Sequence, residues 1–119
     1  MSKVLVVDDE EEVREILEMD LQDAGFSTCL ASGGLHALEV LKAQNKSINA
    51  IVSDVRMKNG DGKFLLQSVR KEFPHIEHFI LITGFSEYSD EELKKLGATA
   101  VLEKPIDLKI LLALLESKV

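Results

Sequence analysis

Apolar residues recur along the chain as five short runs, and all but the second break off at an acid, a hydroxyl or a lysine. The runs are Val4-Leu5-Val6-Val7 before Asp8, Phe26 to Ala31, Asn49 to Asp54, His78 to Thr83, and Ala98 to Glu103 before Lys104-Pro105. None alternates with polar residues, as expected for strands of a parallel sheet buried on both faces. Helical spacing fills the intervals. Val13, Ile16, Leu17 and Leu21 mark one helix that Gly25 closes, and Leu35, Leu38 and Leu41 place one face of a second after the Ser32-Gly33-Gly34 turn. Phe64, Leu65, Val69 and Phe73 mark a third, ended by Pro74.

Ser89-Asp90-Glu91-Glu92 has the form of a capping box, with Ser89 as N-cap, Glu92 reaching back, and Gly97 ending the short helix that follows. Asp107 is the expected N-cap of a last helix from Leu108 to about Ser117. Asn59-Gly60 and Asp61-Gly62 resemble hairpin turns, but the helical spacing after them predicts a loop and then a helix. Five strands alternating with five helices predict right-handed crossovers and one α/β domain over residues 1–119, a doubly wound flavodoxin-like fold with parallel strands in the order 2-1-3-4-5.

In such a sheet every strand ends on the same edge. Asp8 and Asp9, Asp54, Thr83 and Lys104 then converge there, with the acids of strands one and three adjacent at the switch point. Taken singly, Asp8 and Asp9 read as helix-capping acids and Asp54 as a turn residue. Together, three carboxylates repel one another, so one pKa is expected to rise unless a cation joins them. Carboxylate oxygens suit Mg²⁺. A metal, a lysine and a hydroxyl can clamp the three oxygens of a phosphoryl group, and a carboxylate beside them can accept it as an acyl phosphate.

From end to end the chain resembles the receiver (CheY-like) domain of two-component response regulators. The matching residues are Val6-Val7-Asp8-Asp9, Ser53-Asp54 with Met57 and Asp61-Gly62, Thr83-Gly84, and Lys104-Pro105. The resemblance implies that Asp54 is the phosphoacceptor, that Asp8, Asp9, Asp54 and the backbone carbonyl of Arg56 bind Mg²⁺, and that Thr83 and Lys104 bind phosphoryl oxygens. It implies a cis Lys104-Pro105 bond, and a histidine kinase or phosphotransfer protein as donor. Such domains also catalyse their own phosphorylation and dephosphorylation. Output is expected through protein contact on the face of helix 4, strand 5 and helix 5, with a homodimer as one form of it. Two positions depart from the family pattern. Lys58 stands where many members carry proline, which predicts a more mobile loop, and Val101 stands where many carry a switch aromatic, so the usual relay from Thr83 is not expected.

Composition narrows the alternatives. A net charge of −7 argues against direct nucleic-acid binding and suits a cation or a basic partner. Cys29 is the only cysteine, which excludes an internal disulfide and makes a reducing, cytoplasmic setting the expectation, with the thiol buried and structural. Acids interrupt the N-terminal apolar run, so no signal peptide is expected, and the longest apolar run, Ile110 to Leu115, is too short to span a membrane. The histidines, His36, His75 and His78, lack metal-ligand spacing and read as surface or strand-edge residues, and Tyr88 reads as a surface residue. Phe85 is a candidate shield of the phosphoryl group together with Arg56, or a packing residue of helix four. Ile110 and Leu114 are candidates for an exposed interaction patch. Two other functions compete. One is a phosphorylation-independent interaction module. The other is a Mg²⁺-dependent phosphatase of the haloacid-dehalogenase type, whose Asp-x-Asp pattern fails here because Val55-Arg56 follow Asp54.

Overall fold

The computed structural model describes residues 3–84 and 87–117. Five parallel strands, β1 (Lys3–Val7), β2 (Ser27–Ala31), β3 (Ala50–Asp54), β4 (His78–Thr83) and β5 (Ala100–Glu103), form one sheet in the order β2-β1-β3-β4-β5. Helices α1 (Glu11–Asp23), α2 (Gly34–Gln44), α3 (Gly62–Glu72), α4 (Asp90–Lys95) and α5 (Leu108–Glu116) alternate with them. The expected topology holds, although β2, β3 and β5 begin one or two residues later than their apolar runs do. Among the described residues no helix is long and apolar enough to cross a membrane.

Strand side chains alternate between faces, and each face has its own core. Leu5, Val7, Ile51, Phe79 and Leu81 pack with Leu41 of α2, Leu65, Leu66 and Val69 of α3, and Leu93 of α4. Val4, Val6, Val52, Ile80 and Ile82 pack with Leu17 and Leu21 of α1 and Leu111 and Leu115 of α5. This double coverage is why the strands carry uninterrupted apolar runs.

Helix ends follow local chemistry. Ser89 and Asp107 cap α4 and α5, accepting from the backbone N–H groups of Glu92 and Lys109. Asp61 caps α3 by accepting from Phe64 N–H at 2.9 Å. Glu92 does not complete a reciprocal box. Its carboxylate instead pairs with Lys63 Nζ at 2.8 Å, because a lysine one helix away offers a full charge. The left-handed Gly25 and Gly97, with φ of 97° and 117°, follow α1 and α4 as expected. The Lys104-Pro105 bond is cis.

Several single-residue expectations need correction. Leu35 is 53% exposed while Ala37 and Leu41 are buried, because α2 presents its Ala37 side to the sheet. Leu114 is half-buried in the α5 core, leaving Ile110, 50% exposed, as the outward apolar residue. His78 is not a surface residue: as the first residue of β4 it is buried, with Nε2 2.9 Å from the Ser117 carbonyl. Tyr88 is half-buried against the core. Cys29 is half-buried, and burial pushes its thiol pKa above the ordinary value. Phe85 lies outside the described residues.

Candidate functional site

Register assembles the site. Val7 pairs with Ser53 across β1 and β3, so Asp8, one residue past β1, stands level with Asp54, the last residue of β3. Asp54 pairs with Ile82, and Thr83 pairs with Glu103, so Thr83 and then Lys104 follow in step across β4 and β5. The Lys104 backbone N–H donates to the Thr83 carbonyl at 2.9 Å, extending the ladder past the last strand.

Asp54 is buried to 7% exposure, and Lys104 reaches it from the open side, Nζ to Oδ2 at 3.1 Å. Burial pulls the lysine pKa down. The bond to Asp54, its charge, and the charges of Asp8 and Glu10 outweigh that and raise it, so Lys104 remains an ammonium. Asp8 is buried at 3% exposure, and its Oδ1 accepts from Glu10 N–H at 2.8 Å. Its carboxyl pKa is raised, first by burial, against the Glu10 bond that lowers it, and then by the Asp54 charge, with Lys104 lowering and Asp9 raising it further. One acid of the three is therefore raised as expected, but desolvation contributes more than repulsion.

Thr83 brings a hydroxyl that is buried and has no hydrogen-bond partner among the described residues. A buried polar atom without a partner costs free energy unless a ligand satisfies it. Asp54 and Lys104 pair with each other, and Thr83 follows Asp54 by one step of the ladder.

The loop after Asp54 is fixed at both ends. Gly62 N–H donates to the Val55 carbonyl at 2.8 Å, and a Cβ on Gly62 would stand 2.6 Å from the Asp54 carbonyl oxygen. Asn59 and Gly60 both have positive φ, and their carbonyls accept from Leu35 and Gly34 N–H at 3.0 and 2.9 Å. Gly34 is thus required by close approach, since its Cβ would meet the Gly60 oxygen at 2.7 Å. Lys58 N–H donates to Asp9 Oδ2 at 3.3 Å. A proline there has no N–H, so this hydrogen bond between loop and acid is one that a proline at position 58 would lack.

Arg56, Met57 and Lys58 form one wall of an open cleft of about 470 Å³ that Asp9, Glu10, Asp61 and Glu87 also line. Among the described residues the carboxylates that come within 4.8 Å of one another as a group are Asp8, Asp9 and Glu10, and Asp54 stands outside that group. Glu10 is thus an acid at this edge that sequence reasoning passed over, hidden in a run of acids with nothing to separate it from its neighbours. The donor set is all hard oxygen, suited to a Mg²⁺ that keeps several waters, and the Thr83 hydroxyl, unpartnered among the described residues, and the Lys104 ammonium stand where an anion could be held. The residues present fit a divalent ion and a phosphoryl group.

Known proteins share the sequence pattern and the fold. The family model described as "Response regulator receiver domain" matches residues 4–116. A sensor kinase CckA of Brucella abortus is 38% identical over 109 residues, covering 89% of this chain and 11% of the kinase. The solved structure of Vibrio cholerae chemotaxis protein CheY4 superposes with a TM-score of 0.85 at 32% identity, covering 98% of this chain and 97% of that one. The response regulator TrrA of Thermotoga maritima, solved in complex with Mg²⁺-BeF, superposes with a TM-score of 0.85 at 27% identity over 98% of this chain and 97% of its own. The chain spans between 11% and 24% of the length of the first curated relatives it matches.

Proposed function

Because the chain belongs to the response regulator receiver domain family of two-component systems, whose general function is phosphorylation-switched signalling, we propose that Asp54 is its phosphoacceptor. The donor is a phosphohistidine on a histidine kinase or a phosphotransfer protein. A carboxylate oxygen of Asp54 attacks phosphorus, the bond from phosphorus to imidazole nitrogen breaks, and the electron pair leaves with the imidazole. The product is an acyl phosphate. Lys104 Nζ, already 3.1 Å from Asp54 Oδ2, pairs with a phosphoryl oxygen, and the Thr83 hydroxyl donates to another. Asp8, Asp9, Asp54 and the Arg56 backbone carbonyl hold Mg²⁺, which when bound offsets charge on the phosphoryl oxygens. The observation that carries this reading is the buried Thr83 hydroxyl, without a partner among the described residues, one ladder step from an acid already paired with a lysine.

Output passes through protein contact on the face of α4, β5 and α5, where Ile110 is an exposed apolar residue. A second copy of the chain is one candidate partner there. Val101 is half-buried against the core and shorter than an aromatic side chain, so a relay from Thr83 through a swinging ring at this position is not available. A haloacid-dehalogenase reading is disfavoured by Arg56, which stands two residues after Asp54 where an Asp-x-Asp pattern needs a second acid.

The test uses a stable phosphoryl mimic. With Mg²⁺ and beryllofluoride, fluorine NMR should show a bound signal that disappears on adding EDTA and is absent from Asp54→Asn. A bound signal that persists in Asp54→Asn, or none in the folded wild type, would contradict the assignment.

A further inference from the structure

Tyr88 joins the two loops that leave the site. Its hydroxyl donates to Asp61 Oδ2 at 2.9 Å, across 27 residues of sequence. The other oxygen of Asp61 accepts from Phe64 N–H and caps α3. The Tyr88 ring packs on the core, and Lys63 Nζ lies 4.6 Å from its centroid while pairing with Glu92 of α4 at 2.8 Å. One phenol thus ties the start of α3, a loop away from Asp54, to the segment between Thr83 and α4. Asp61 and Glu87, the residue before Tyr88, are both walls of the cleft beside Asp9 and Arg56.

We propose that Tyr88 is a positioning residue of the cleft beside the acceptor, whose bond to Asp61 holds the loop after β3 and the loop after β4 in register and limits entry of water to the phosphorylated Asp54. The inference rests on the reading of Asp54 as phosphoacceptor for its effect on phosphoryl lifetime, and on geometry alone for its effect on the loops. Without the hydroxyl, Asp61 keeps its cap on α3 but loses its tie to the β4 side. The Lys63–Glu92 pair still links α3 to α4, but the Asp61 and Glu87 walls lose the bond that sets their spacing at the cleft. The attacking water needs a path in line with the bond to be broken, and the cleft lined by Asp9, Arg56, Asp61 and Glu87 opens beside the loop that leaves Asp54. The hydroxyl also neutralises no charge, so its removal leaves the net charge of the cleft unchanged and isolates positioning from electrostatics.

Tyr88→Phe keeps the ring, its packing and the Lys63 contact, and removes only the hydroxyl. After phosphorylation by acetyl phosphate and removal of the donor, decay of the phosphoryl-sized mass increment should quicken by about three- to tenfold, the factor that one net hydrogen bond is worth. Combining it with Asp61→Asn should add little to the larger single effect, because the two side chains act through one bond. Amide hydrogen exchange, which needs no phosphorylation, should quicken in Tyr88→Phe on both sides, at Lys58 to Phe64 and at Ser89 to Leu93. Exchange that changes on the Tyr88 side alone would overturn the proposal whether or not Asp54 is the acceptor. An unchanged decay rate in a variant that does take up phosphate would overturn its catalytic part. A wild type that takes up no phosphate would overturn the acceptor assignment, with hydrogen exchange still deciding the coupling.

Discussion

Lys104 and Asp54 are 50 residues apart in sequence, yet the Lys104 ammonium lies 3.1 Å from the Asp54 carboxylate at the end of the sheet. The acid is nearly closed off from solvent, whereas the Lys104 side chain is 36% exposed. Such a pair is worth more than a surface ion pair and less than a buried one. Lys104→Met should destabilise the protein by about 1 kcal/mol, a figure held toward the surface value because the lysine is screened by water. Urea unfolding of wild type, Lys104→Met, Asp54→Asn and the double variant should give a coupling of that order, and a coupling near zero would mean that the pair carries no stability.

Mg²⁺ should raise the melting temperature of the wild type, because an ion that binds only the folded state adds about 2.7 kcal/mol at a hundredfold excess over its Kd. Asp9→Asn should abolish the shift. Glu10→Gln should retain most of it if Asp54 completes the ligand set. Loss in Glu10→Gln with retention in Asp54→Asn would instead assign the ion to the cluster of Asp8, Asp9 and Glu10.

Gly62→Ala should be severe, about 2 kcal/mol or more, because the added Cβ meets backbone as well as a side chain: the Asp54 oxygen at 2.6 Å, Val55 Cα at 2.8 Å and Leu81 Cδ2 at 2.8 Å. Gly84→Ala, whose Cβ meets only the Lys104 side chain among the described residues, at 3.4 Å, is the control and should change the urea midpoint little.

The phenol of Tyr88 should titrate above the ordinary value of about 10, because its bond to the Asp61 carboxylate and then the Asp61 charge both disfavour the phenolate. A folded-state pKa raised in this way means that the bond's contribution to stability is fully present below the unfolded value. It is lost as pH rises through the folded one. With one tyrosine and no tryptophan in the chain, ultraviolet titration reads this group directly. Asp61→Asn should bring the midpoint down, and no movement would mean that the bond is not made in solution.

The parts of this molecule legible in the sequence are those that a single strand or helix determines. The strand runs announced themselves because both faces of the sheet are covered, and the polar residue at the end of every run but the second marked Asp8, Asp54, Thr83 and Lys104 as neighbours once parallel order was assumed. Ser89 and Asp107 were legible as caps because capping is a matter of a few consecutive residues. What stayed hidden depends on loops meeting. The Tyr88–Asp61 bond, the Lys63–Glu92 pair that displaces the expected return of Glu92, and the seating of Gly34 against Gly60 each join segments whose approach no local spacing encodes. Leu35 failed for another reason. Three leucines at helical spacing define a stripe, but in α2 the smaller Ala37 faces the sheet, and size does not reveal which stripe is inward. His78 was missed because a histidine opening an apolar run reads as a strand edge, whereas here β4 lies inside the sheet and α5 ends over it.

The most direct test of the account is intact mass after incubation with Mg²⁺ and acetyl phosphate, with Asp54→Asn treated alongside. A phosphoryl-sized gain that requires Mg²⁺ and is absent from the folded Asp54→Asn protein is the predicted result. A gain that survives in Asp54→Asn, or no gain in a folded wild type, would contradict it.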